Sequence, residues 1–138
     1  MGISKASDYA ILIMAYFSSQ PEGTIRSKSG IAKDLSLPGE YLSKILQKLT
    51  KSGMIISIKG VKGGYRLKEF PCQLTFLDVI ESIDGKINIV ECLSEDFKGC
   101  RRQNICMSLI KKMSLVNAGI TNVLRNTTFT DISVPVLQ

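Results

Sequence analysis

The chain contains no histidine among its 138 residues. This removes the commonest general base and the commonest nitrogen ligand for a metal together. No apolar run reaches the roughly 18 residues that a membrane-spanning helix needs. The stretch from Met1 to Tyr16 is partly apolar, yet it lacks the charged start and small-residue cleavage pattern of an export signal. A soluble, cytoplasmic protein with no membrane partner is therefore expected. Internal repeats and low-complexity tracts are also missing. No base, nucleophile and substrate pocket come together in the sequence, so enzymatic activity is not expected.

The remaining composition is ordinary for a globular chain, with 44% apolar and 22% charged residues. Its length suffices for one domain with a core, or a small domain with an added arm. The net charge of +6 is unevenly placed. Up to Phe70 there are eleven Lys/Arg against five Asp/Glu, whereas from Pro71 onward there are seven of each. The excess sits in the first half, where it fits either a polyanion contact or a solvated lysine surface.

Periodicity places the elements. Ala6, Tyr9, Ala10, Ile13, Met14 and Phe17 predict a helix over about 5–17, broken by Pro21 and Gly23. Ser27 or Ser29 can cap a short helix carrying Ile31, Ala32 and Leu35. After the turn at Leu37-Pro-Gly39, Pro38 suits the first position of a second helix. There Leu42, Ile45, Leu46 and Leu49 form one face and Ser43, Lys44, Gln47, Lys48 and Lys51 the other, with Gly53 closing it. Two helices across a tight turn, the second basic and amide-bearing outside, make a helix-turn-helix. Met54 to Ile58 and Tyr65 to Lys68 then read as a hairpin around a glycine-rich turn. Such a hairpin would be a wing whose Lys59 and Lys62 can reach phosphate or a minor groove. A further helix opens at Thr75, with Asp78 placed for a capping box and Phe76, Leu77, Ile80 and Ile83 apolar, and ends at Asp84-Gly85.

Gly60, Gly63 and Gly64 could suggest a phosphate-binding loop, but such loops lead into a helix. Here they lead into Tyr65-Arg-Leu, which supports a wing. Among the outer helix residues, Lys44, Lys48 and Lys51 would supply salt-sensitive affinity. Ser43, Lys44 and Gln47 are the candidates for reading base edges.

Of the four cysteines, Cys92, Cys100 and Cys106 follow a C-x7-C-x5-C pattern. This differs from the paired spacing of zinc ribbons and from the short repeat of bacterial ferredoxins. Cys72, in an apolar run, reads as a small buried hydrophobe. The other three lie in the polar stretch from Ser94 to Asn104 or at its edges. Lys98, Arg101 and Arg102 there would favour the thiolate. Spacing alone leaves a metal site and redox-active thiols equally open. Beyond them Leu109, Met113, Val116, Ile120 and Val123 are spaced four, three, four, three. That stripe fits a dimer helix, or one packed on its own domain.

In this order, the segments Ile3-Ser-Lys-Ala-Ser-Asp-Tyr-Ala10, Tyr41-Leu-Ser-Lys-Ile-Leu-Gln-Lys-Leu49 and Lys59-Gly-Val-Lys-Gly-Gly-Tyr65, with the three cysteines, carry a resemblance. The chain resembles the winged-helix iron–sulfur regulators that include IscR and NsrR, over about residues 3–132, and looks closest to the branch regulating SUF cluster assembly. The resemblance implies a homodimer formed through the C-terminal helix and a 2Fe–2S or 4Fe–4S cluster near its interface. Cluster state would set operator affinity. It assigns Cys92, Cys100 and Cys106 as cluster thiolates and puts Lys59 in place of a wing arginine. The histidine ligand of IscR-like members falls at Leu109 here. Asp8 stands where NsrR-like members use an aspartate from the partner subunit, with Glu91, Asp96 or an outside thiol as competitors. As a helix residue, Asp8 alternatively serves the dipole of its first turn.

The expected architecture is mainly α. A winged helix-turn-helix over 1–85 precedes a cysteine-bearing loop over 86–104, a dimerisation helix over 105–126 and a tail over 127–138 that frays from about Val134. The expected function is regulation of iron–sulfur assembly or stress genes through double-stranded DNA with two half-sites. A cluster-free thiol-sensing repressor and a zinc-bearing protein adaptor are the alternatives.

Overall fold

Ser4 accepts a hydrogen bond from the Ser7 amide and so opens α1, which runs from Lys5 to Ser18. A computed structural model describes residues 2–68 and 73–135 of the chain. Ala10, Ile13, Met14 and Phe17 are all buried, as their three-and-four spacing requires. Ser27 caps α2 (Lys28–Leu35) through the Gly30 amide, with Ser29 beside it at 3.2 Å. Ser36 turns the chain in the left-handed region, at φ 56°, and α3 follows over Gly39–Lys51. Pro38 stands one residue earlier than expected, as the N-cap. Its ring-fixed φ suits either position, and here an extended ψ leaves its carbonyl free to accept the Leu42 amide at 2.9 Å. Leu42, Ile45, Leu46 and Leu49 are buried, and Gly53 follows the helix at φ 82°.

Strands β1 (Ile55–Ile58) and β2 (Gly64–Leu67) pair antiparallel, with Ser57 opposite Tyr65. The segment before α2 joins them. Arg26 and Tyr65 exchange backbone hydrogen bonds of 2.9 and 2.8 Å, giving the hairpin a third edge that sequence periodicity did not reveal. This contact explains Gly64. A Cβ there would lie 2.4 Å from the Arg26 carbonyl oxygen.

Helix α4 (Phe76–Asp84) begins with the expected capping box between Thr75 and Asp78 and ends at Gly85. A single 3-10 turn, Glu91–Leu93, precedes the irregular stretch to Cys106, and α5 covers Met107–Asn126. Asn117 of α5 accepts from the Ile89 amide at 2.9 Å and donates to the Ile87 carbonyl at 3.2 Å. It thereby fastens the chain leading to the first loop cysteine.

The C-terminal segment returns to the body of the fold before the point, about Val134, where fraying is expected to begin. Thr128 bridges to Thr75, Phe129 is buried and stacked on Phe76 at 4.7 Å, and Ile132 and Val134 pack against the core. The apolar residues at 129, 132 and 134 are too few to show a period, yet Phe129 covers Phe76 of α4 and the other two extend the core. Residues 136–138, and the expected burial of Cys72, lie outside the described residues.

The core is shared by α1, α2, α3, β1 and α4. Tyr16, fully buried, keeps its hydroxyl satisfied by donating to Asp34 Oδ2 at 2.7 Å. Burial and that carboxylate push its pKa up to about 12.

A candidate nucleic-acid interface and a cysteine-lined pocket

The amphipathic pattern of α3 buries its leucines and leaves the opposite face to solvent. Lys44, Gln47 and Lys51 are exposed, and Ser43 is half-exposed with its hydroxyl donating to the Gly39 carbonyl at 3.1 Å. Ser43, Gln47 and Lys51 line an open groove together with Thr50, Ser57 and Tyr65. The last three went unassigned in the sequence. Ser57 and Tyr65 were nonetheless findable, as directly opposed cross-strand partners in the hairpin.

Lys48 is placed differently from its neighbours. Its ammonium donates to the Ile83 carbonyl at 3.3 Å, at the end of α4. Lys44, Lys48 and Lys51 stand at i, i+4 and i+7 on one stripe of the helix, but the Lys48 ammonium is engaged at the end of α4.

The wing tip is exposed at Lys59, Gly60, Val61 and Lys62, with Val61 at 106% relative exposure. A turn closed by the Gly63 amide on the Gly60 carbonyl at 3.0 Å leads into β2, not into a helix. The glycines therefore shape a hairpin tip. Among the described residues, Lys44, Lys51, Lys59 and Lys62 take part in no ion pair, so their charge is available to an outside polyanion.

The second site is the loop. Cys92 and Cys106 are half-buried, Cys100 is exposed, and all three are free thiols. They line one pocket of about 440 Å³ between the 3-10 turn and the first turns of α5. Val90, Phe97, Ile110 and Met113 supply its apolar wall, with Glu91 and Arg102 among the polar residues. The Arg102 backbone N–H donates to Cys100 Sγ at 3.4 Å. That bond, aided by the Arg102 guanidinium, lowers the Cys100 thiol from its ordinary value, against an opposing effect of Glu91. Among the described residues, no three Cys, Asp or Glu side chains converge tightly enough to hold a single metal ion. The three thiols thus line a common pocket without converging on one point.

Leu109, in the place of a histidine ligand, also lines this pocket. Asp8 is not part of it. It lies exposed in the first turn of α1, 3.5 Å from Lys5 Nζ.

Residues 3–134 match the Rrf2 model, described as an iron-dependent transcriptional regulator. The chain belongs to the Rrf2 family. Among curated relatives it is 26% identical over 106 residues to the transcriptional regulator NsrR of Halalkalibacterium halodurans, covering 77% of this chain and 73% of that protein. Among solved structures it is similar to CymR, the global cysteine regulator of B. subtilis, with a TM-score of 0.73, 27% identity and 95% of each chain covered. It is also similar to T. potens IscR, with a TM-score of 0.64, 25% identity and coverage of 95% and 85%. This Rrf2 protein is accordingly a winged-helix, DNA-binding transcriptional regulator and not an enzyme. Membership sets aside an adaptor that works without DNA.

No helix among the described residues is long and apolar enough to cross a membrane.

Proposed function

We propose that this Rrf2 protein is a homodimer whose operator affinity is set by an iron–sulfur cluster held on Cys92, Cys100 and Cys106, and that it controls iron–sulfur assembly or stress genes. The observation that carries the reading is the common pocket. Three cysteines separated by seven and five residues face one space, with the Cys100 thiol biased toward thiolate. These residues suit the group in ligand type, since iron–sulfur clusters are held by cysteine thiolates.

Ser43, Lys44, Gln47 and Lys51 of α3 read the major groove, while Lys59 and Lys62 of the wing contact phosphate or the adjacent minor groove. In a dimer the two copies of α3 address half-sites about 10 bp apart. An iron–sulfur cluster, when bound, supplies an iron- and redox-sensitive tie among the three thiolates. The loop's other fastening is Asn117, so ordering residues 92–106 acts on α5 and on the end of α4. Only a difference in DNA affinity between the ordered and free states makes this a switch. The fourth ligand comes either from the partner's Asp8, as the family resemblance implies, or from this chain's own pocket wall.

The test is iron, zinc and acid-labile sulfide per chain, in protein purified without oxygen. Near-equal iron and sulfide, lost on Cys100→Ala, is expected. The expected companion result is a difference in affinity between loaded and metal-free protein for a duplex selected from a random pool. Zinc alone, or no metal, overturns the cluster reading and leaves DNA binding intact. One observation favours a second reading: the exposed, thiolate-biased Cys100 suits oxidant sensing without metal. Its signature would be a reversible disulfide between two loop cysteines.

A further inference from the structure

The loop between α4 and α5 offers three carboxylates near the cysteines, Glu91, Glu95 and Asp96. They differ in what already holds them. Glu95 is ion-paired with Lys86. Asp96 is exposed and does not line the pocket. Glu91 lines the pocket with all three thiols, and among the described residues its carboxylate enters no hydrogen bond or ion pair. It sits at the start of the 3-10 turn that carries Cys92.

We infer that Glu91 is the fourth ligand of the cluster site, so that one subunit supplies a complete three-thiolate, one-carboxylate set. The inference rests on the cluster reading above and assigns a residue that the family resemblance leaves to the partner subunit. A hard carboxylate beside three soft thiolates makes one iron unlike the others and easier to displace at that corner. The site then loads in each chain separately, and Asp8 is left to its helix dipole and to Lys5.

The experiment compares full-length wild-type protein with Glu91→Gln, Glu91→Cys, Asp8→Ala and Cys100→Ala, all reconstituted anaerobically with ferrous iron and sulfide. Read out are iron and sulfide per chain, visible absorption and circular dichroism, and the rate of iron loss to a chelator. Glu91→Gln should change the visible spectrum and speed iron loss about tenfold or more, while Asp8→Ala leaves both unchanged. Glu91→Cys should restore retention with a shifted thiolate-to-iron band. A Glu91→Gln spectrum and loss rate equal to wild type overturn the assignment, as does a change confined to Asp8→Ala. If Cys100→Ala abolishes the cluster in that same series, the cluster reading survives the failure. Wild-type protein that takes up no iron and sulfide overturns both. Glu91 is exposed and free of hydrogen bonds among the described residues, so its variants should keep the wild-type far-ultraviolet spectrum.

Discussion

Asp84 ends α4 and accepts hydrogen bonds from the Ser4 amide, the Ser4 hydroxyl and the Ser7 hydroxyl, the last at 2.7 Å. Desolvation works to raise its pKa, but these bonds and the nearby Lys48 ammonium outweigh it and hold the carboxyl below its ordinary value. A depressed folded-state pKa contributes stability above the unfolded value, and that stability is lost as pH falls through the folded one. Asp84→Asn should therefore cost about 1 kcal/mol at neutral pH and flatten the acid limb. Urea unfolding followed from neutral to acid pH checks this, and an unchanged limb would count against it. Gly64 gives a second residue-scale expectation. Alanine there meets the Arg26 carbonyl as well as an unfavourable φ of 151°, whereas at Gly85, with φ 79°, nothing lies within 4 Å. Gly64→Ala should cost on the order of 3 kcal/mol and Gly85→Ala about 1 kcal/mol. Thermal unfolding distinguishes them, and only the former should also weaken DNA binding. The glycine-rich turn was plain in the sequence. That Gly64 is sterically required was not, because its clashing atom lies 38 positions earlier in the chain.

At the scale of elements, helix boundaries and caps were legible because they depend on neighbours three or four residues away. The capping box of α4 and the buried stripe of α3 are examples. The direction of the α3 lysines was less so. Lys48 shares the polar side of the helix in a sequence plot, yet α4 draws it off through the Ile83 carbonyl. Each phosphate-contacting lysine contributes about one to the salt slope of binding. Lys59→Ala and Lys51→Ala should therefore each reduce that slope by about one, while Lys48→Ala leaves it nearly unchanged. Binding to a nonspecific duplex over a range of salt concentrations measures all three. Equal slopes for wild type and Lys59→Ala would remove the wing from the interface.

For the whole molecule, α5 is the element left with work to do. Its 20 residues include none that are buried. The expected stripe divides between two jobs. Met113 and Ile120 are half-buried against the chain's own fold, while Leu109, Val116 and Val123 stand 53%, 51% and 66% exposed, one helical heptad apart. Leu115, Met107 and Ile105 add to the uncovered apolar surface. A second copy of α5 is the proposed cover. Val116→Lys, at a position 51% exposed on its own subunit, should shift the protein from dimer to monomer in sedimentation equilibrium. It should also weaken binding to a two-half-site duplex about tenfold or more. A variant that stays dimeric would place the interface elsewhere.

The sequence by itself determined the local elements, the concentration of positive charge in the first half, the wing as opposed to a phosphate loop, and the three thiols set in polar surroundings. Those properties follow from short-range periodicity and composition, which a linear chain already carries. Tertiary structure alone decided that Arg26 edges the wing, that the Lys48 ammonium bonds the end of α4, that Phe129 returns to α4, and that Glu91 shares a pocket with Cys92, Cys100 and Cys106. Each of these depends on which distant segments pack together. Such packing is set by the shape of the whole apolar core, and no pattern within one segment encodes it.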